Sequence, residues 1–170
     1  MNLRRWCALV AGCALLLVQT GCGRAEGVRF VPGDIQNNPA VSTSLPVGVD
    51  SAALSAVINY VDALNIAAKT GDTLGIRMAA QSGCGCLKIA DSFEQIYKTA
   101  NLIGATYRIT GISVIMNSAS EIEMRVVIAM SKATHIVRAT GVSTQWSGAV
   151  KPTDFILQPI HGVWWIVQTS

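Results

Sequence analysis

The hydrophobic period of this chain changes once, near Gly104, and nothing else in the sequence limits the possible folds as tightly. Before that point the apolar residues recur at helical spacing. In "DSAALSAVINYVDALNIAAKTGD" (50–72), Leu54, Val57, Ile58, Val61, Leu64 and Ala68 form one stripe, which predicts a long helix. Asp50 or Ser51 suits its N-cap, and Gly71 suits a left-handed C-cap. A short helix is expected over 73–80. A third is expected over 87–104, with Leu87, Ala90, Phe93, Tyr97 and Ala100 on one face and Gly104 closing it. Beyond Gly104 the period is two. Tyr107 and Ile109 alternate, then Ile112, Val114 and Met116, with a slip of phase at Gly111 that reads as a bulge. Ile122, Met124, Val126, Ile128 and Met130 form a second half-buried strand, and "THIVRATG" (134–141) a third. "TDFILQPIHGVWWIVQTS" reads as two strands about a tight turn, with His161-Gly162 at its tip. Helices followed by a run of strands imply the α+β class, with three N-terminal helices packed on a curved antiparallel sheet.

With 170 residues the chain is long enough for one well-cored domain. Its 51% hydrophobic content is high for a soluble domain, and part of the excess lies at the start. Arg4 and Arg5 precede "CALVAGCALLLV" (7–18), a run shorter than the roughly 20 residues that cross a bilayer. A basic stretch, an apolar run and then small residues is the layout of a secretory signal, with a plain membrane helix as the weaker alternative. "VQTGC" (18–22) resembles a bacterial lipobox. That resemblance implies cleavage after Gly21 and acylation of Cys22, although Gln19 stands where such sequences carry an apolar residue. "LVAGC" (9–13) offers a competing match at Cys13, but leaves only seven apolar or small residues (6–12) ahead of the cut. An ordinary secretory signal is the third reading. Cysteine accounting favours Cys22. The total of five is odd; losing Cys7 and Cys13 with the signal and acylating Cys22 leaves Cys84 and Cys86 as a pair. The expected organisation is therefore a signal peptide over 1–21, a Pro-, Gly- and Ser-rich tether over 22–50, and a single domain over 51–170. In this organisation the protein sits on the extracytoplasmic face of the bacterial plasma membrane, with the lipid anchor as its membrane contact. Val28, Phe30 and Val31 could alternatively form a short docked strand. The net charge is +3, and Arg4 and Arg5 leave with the signal; no two Lys or Arg adjoin after them, so nothing in the sequence suggests nucleic acid as a partner.

The element order resembles the cone-shaped, nuclear-transport-factor-2-like superfamily. The likeness is carried by the first helix ending in "KTGD" (69–72), a third helix before the strands, and the last strand opening on Gly162-Val163-Trp164. More narrowly, Tyr60, Leu64, Ala67, Thr70-Gly71-Asp72 and the paired Cys84 and Cys86 resemble a family of actinobacterial lipoproteins of unknown function. Relatives there more often space the two cysteines as C-x-x-C.

Several residues are candidates for chemistry. Cys84-Gly85-Cys86 could be a metal clip, a redox site or a local disulfide. Metal is disfavoured because two ligands are only half of a structural zinc set, with His135 and His161 the only histidines to complete it. Redox chemistry has the helix start after Cys86 in its favour and lacks a preceding strand. A local disulfide is the simplest reading. Residues two apart in extended chain have Cα atoms roughly 7 Å apart, at the limit of disulfide geometry, so Gly85 must supply a bend. The cone-shaped fold implies an open end lined by inward strand residues. Tyr60, Tyr107, His135 and Trp164 are the expected lining, with Asp62 and Asp91 as further acid/base candidates. Trp164 and Trp165 must face opposite sides of their strand, and Trp146 is placed in a loop. The sequence shows no catalytic pair, metal set or cofactor motif. It therefore points to a non-catalytic binding or interaction module taking a small ligand or an envelope protein. An isomerase- or hydratase-like enzyme using an acid/base group in the cone is the alternative.

Overall fold

A computed structural model of the chain describes residues 48–170. The signal peptide, Cys13, Cys22, Val28, Phe30, Val31 and the tether up to residue 47 lie outside the described residues.

Helix α1 (Ser51–Thr70) starts where Asp50 Oδ1 accepts the Ala52 N–H at 2.7 Å, satisfying a donor the first turn cannot bond internally. It stops at Gly71, whose φ of 79° lets its N–H bond back to the Ala67 carbonyl. A side chain at Gly71 would also collide with Tyr97, since a Cβ there lies 2.6 Å from the ring. The Tyr97 hydroxyl in turn donates to the Ala68 carbonyl at 2.6 Å, fixing the end of α1 against the third helix. Helix α2 (Leu74–Ala79) packs tightly on α1 because Gly75 faces Ala63; a Cβ on Gly75 would sit 2.9 Å from the Ala63 methyl.

Helix α3 (Leu87–Thr99) ends five residues before the expected stop at Gly104. Ala100 is extended, at φ −140° and ψ 176°, and β1 (Ala100–Ile103) follows directly. Leu102 and Ile103 could continue a helical stripe by periodicity alone. The structure instead pairs 100–103 antiparallel with β4 (Ala133–Val137), and β4 pairs on its other side with β5 (Ser143–Trp146). This three-stranded sheet is not legible as such in the sequence. Strand β4 is shorter than the expected 134–141 because residues 138–140 turn, and Trp146, expected in a loop, ends β5.

The second sheet runs β2 (Tyr107–Asn117), β3 (Ile122–Met130), β6 (Ala149–Ile160) and β7 (Val163–Thr169), antiparallel throughout. Its register slips between Ile109 and Gly111, at the glycine where the alternation changes phase. His161 and Gly162 both have positive φ, 52° and 79°, as the tight β6–β7 turn requires. Alternation sorts the faces. Ile122, Met124 and Val126 of β3 lie beside Leu157 and Phe155 of β6 on the covered side, all with 1% exposure or less. They meet Val57, Tyr60 and Leu64 of α1, and the Tyr60 and Phe155 rings pack edge to face at 5.7 Å. The fold is thus α+β, with helices packed on antiparallel sheet, as the sequence predicts.

Candidate functional site

Helix α1 is apolar beyond the stripe it buries. Ile66 and Ile58 project away from the core, 53% and 38% exposed. Ile66 forms part of an open cleft of about 850 Å³ between α1, α2 and the β6–β7 turn. Small residues, Ala56, Ala63, Gly75 and Ala79, line it where α1 and α2 approach closely at Gly75. Ile66, Met78, Val163 and Trp164 supply apolar surface, with Met78 66% and Val163 58% exposed. A polar stripe of Ser51, Ser55, Asn59 and Asp62 runs along the α1 side, spaced to share one helix face. Contiguous exposed apolar surface rimmed by polar groups is what a binding site presents.

Trp164 closes one end. Its indole N–H donates to Asp50 Oδ2 at 2.9 Å, so the first residues of β7 are tied to the N-cap of α1. The indole hydrogen bond, and after it the Ala52 N–H, hold the Asp50 carboxyl below the usual carboxylate range. Trp165 pairs with Gln158 on the opposite face of the strand, as alternation demands.

The other three expected pocket residues do not join Trp164. Tyr60 is core, 4% exposed, and its hydroxyl donates to the Cys86 carbonyl at 3.1 Å. Burial, and then the neighbouring Tyr107, push its pKa up to about 12. Tyr107 packs edge to face on Phe93 and is also raised by burial. It lines a separate, smaller cleft of about 280 Å³ with Ile58, Asp62, Arg108 and Ile112. His135 belongs to the three-stranded sheet, where its ring stacks on Trp146 with centroids 5.5 Å apart and planes 4° from parallel. Asp91 is engaged by Arg77, which also binds Glu94. Asp62 opens outward from α1 between the two clefts. His135 and the two aspartates therefore occupy different surfaces. Among the described residues no group of three or more His, Cys, Asp and Glu is placed to hold a metal.

Cys84 and Cys86 are joined by a disulfide with Cα atoms 5.1 Å apart, so Gly85 does bend the chain. Both cysteines are buried, at 5% and 4% exposure, and the bond is shielded rather than offered to a redox partner. The turn around it is held by Cys84 N–H to the Gln81 carbonyl and Leu87 N–H to the Cys84 carbonyl. Gln81 N–H in turn bonds the Ile166 carbonyl of β7. The disulfide thus fastens the start of α3 where the chain crosses from helix α2 past the sheet edge.

Two participants escape a reading by residue type. Asn65 pairs with β2 as a strand would: its Nδ2 donates to the Tyr107 carbonyl at 2.9 Å and its Oδ1 accepts the Tyr107 N–H at 2.6 Å. Met78 is apolar and exposed on a short helix. The one sequence signal available for the cleft was apolar residues, such as Ile66, lying off the buried stripe.

No family model and no curated protein matches this chain. Solved structures do. The intermembrane space region of the chloroplast protein ARC6 superposes with a TM-score of 0.51 at 14% identity, over 69% of this chain and 92% of that one. A Caulobacter vibrioides protein with a cystatin-like fold gives 0.48 at 12% identity, over 69% and 86%. A Nostoc punctiforme protein of unknown function, also with a cystatin-like fold, gives 0.46 at 11% identity, over 71% and 90%. At such identities the likeness concerns fold alone.

Proposed function

We propose that this chain is a lipid-anchored module of the bacterial cell envelope, acylated at Cys22, which binds a small amphipathic ligand in the cleft between α1, α2 and the β6–β7 turn. The cleft carries this reading. Its exposed Met78, Ile66 and Val163 suit an apolar body, and Ser55, Asn59 and Asp62 accept hydrogen bonds from a donating or cationic head. The anchor is supported by the lipobox-like "VQTGC" and by the pairing of Cys84 with Cys86, which leaves Cys22 unmatched among the cysteines from 22 onward. The likeness to actinobacterial lipoproteins points the same way. The separation of His135, Asp62 and Asp91 weighs against acid/base catalysis in a shared cavity.

Cys22→Ser is expected to release the protein from the membrane fraction while Cys13→Ser does not; release by Cys13→Ser alone refutes the assigned cleavage site. For the cleft, decylamine below its micellar concentration is titrated into the Cys22→Ser chain while the tryptophan fluorescence that Trp164→Phe abolishes is followed. Met78→Lys is expected to abolish the change, and decanoate to bind more weakly than decylamine because Asp62 repels it. Equal binding of decylamine by the wild-type and Met78→Lys chains overturns the assignment of the cleft.

A further inference from the structure

Methionine and cysteine sulfur atoms are what a two-electron oxidant attacks first in a folded chain, and access to each decides the order. This domain treats its sulfur atoms unequally. Cys84 and Cys86 already share a disulfide, and both are buried. Met124 is fully buried in the core beneath α1. Met130, at the end of β3, is half-buried, and Met116 on β2 is 40% exposed. Met78 is 66% exposed, the most open of the described methionines.

Helix α2 sets that exposure. Ile76 is its buried anchor, and Met78 lies two residues on, about 200° around the helix. The Met78 side chain is therefore turned away from the core. Gly75, Met78 and Ala79 are spaced three and four residues apart and share one face, which lines the large cleft. Gly75 holds that face against Ala63 of α1, and the Gln81 N–H, bonded to the Ile166 carbonyl, fixes the chain just past α2. The contacts that seat α2 are thus made by other residues. A change at the Met78 sulfur alters the cleft wall and leaves the packing of α2 in place.

We infer that Met78 is the primary oxidation site of the described domain, and that its conversion to the sulfoxide by a peroxide switches the cleft from holding its amphipathic ligand to releasing it. The switch rests on the cleft reading proposed above; the oxidation site does not. In the reaction the Met78 sulfur donates a lone pair to one peroxide oxygen, so that an S–O bond forms as the O–O bond breaks. Sulfur loses two electrons. The departing oxygen takes them, picks up the proton from the transferred oxygen and leaves, for hydrogen peroxide, as water. The product is a polar, chiral side chain in place of an apolar one. Its oxygen is a hydrogen-bond acceptor, and the apolar body of a ligand lying over it removes water without supplying a donor. Binding is weakened for that reason.

The test treats the full Cys22→Ser chain with hydrogen peroxide and follows sulfoxide at each methionine by peptide mass spectrometry. Met78 is expected to oxidise faster than Met116 and Met130, with Met124 last. Oxidation of Met78 no faster than Met116 overturns the site. Decylamine is then titrated against the Trp164 fluorescence before and after treatment. Once Met78 is fully oxidised, affinity is expected to fall about threefold or more. Met78→Leu keeps apolar bulk without sulfur, and each chain is compared with its own untreated affinity. The leucine variant is expected to lose nothing on treatment. An unchanged affinity in the oxidised wild type overturns the switch, and so does an equal loss in Met78→Leu. A melting temperature that falls together with the affinity also overturns it, because the loss is then unfolding rather than a local change. If the untreated wild type binds no decylamine while Met78 still oxidises first, the cleft reading and the switch fail and the oxidation site stands.

Discussion

Replacing Asn65 tests whether one side chain holds the sheet to the first helix. Its amide supplies both partners of the Tyr107 peptide groups, at 2.6 and 2.9 Å, where β2 has no neighbouring strand. Asn65→Ala leaves a backbone donor and acceptor unpaired. Each costs roughly 1–3 kcal/mol when fully buried. Both groups are part-buried and can recruit some water, so about 2–4 kcal/mol in total is expected. That is a large share of the roughly 5–15 kcal/mol by which domains are stable. At this size each kcal/mol lowers the melting temperature by roughly 3–6 °C, which gives a fall of about 6–24 °C. Asn65→Asp separates the donor from the acceptor. The carboxylate still accepts the Tyr107 N–H but sets negative charge against the Tyr107 carbonyl. The protonated acid can donate to that carbonyl, so folding raises the pKa of the new aspartate. The variant therefore gains stability as pH falls through that raised value and loses it at neutrality. Thermal unfolding followed by circular dichroism at several pH values reads both effects. A loss under about 0.5 kcal/mol for Asn65→Ala refutes the strand-like role, as does an Asn65→Asp stability that follows the wild type across pH.

Two further outcomes follow from the same contacts. Gly71→Ala, which forces a side chain into the left-handed region and against the Tyr97 ring, should cost about 1–3 kcal/mol in denaturant unfolding. A neutral result would mean that Tyr97 yields freely. Trp164→Phe removes the leading cause of the depressed Asp50 pKa, so carboxyl NMR should show Asp50 moving up toward its ordinary value. A carboxyl with a depressed folded pKa stabilises above its unfolded pKa, and that contribution is lost as pH falls through the folded value. The Phe variant should therefore lose less stability than wild type on acidification across the carboxylate range. An unmoved Asp50 resonance would show that the indole hydrogen bond does not form in solution.

Much of the fold was legible because its signals are local. Asp50 caps α1, Gly71 ends it, Gly111 marks the register slip of β2, and His161-Gly162 turns β6 into β7. Each rests on the conformational preference of one or two residues. The end of α3 was misread because Ala100 to Ile103 fit a helical stripe, and only their pairing with β4 makes them a strand. β5 went unseen because Ser143 to Trp146 is short and mostly polar, and its order comes from its neighbour. The site residues were read by type. Tyr60, Tyr107, His135 and Trp164 were plausible as pocket lining, yet they lie in the core, in a small cleft, on the other sheet and at the rim of the large cleft respectively.

By itself the sequence determined the α+β class, the helix caps, the turn and bulge positions, and the proximity of Cys84 and Cys86. All of these follow from hydrophobic period or from backbone preferences acting over a few residues. Only the tertiary structure decided which apolar side chains stay outside, so that Met78, Ile66 and Val163 share one cleft, and which charges meet, so that Arg77 reaches both Asp91 and Glu94. Exposure and electrostatic field depend on what packs across the sheet and between helices. Those neighbours are distant in sequence, and no local pattern records them.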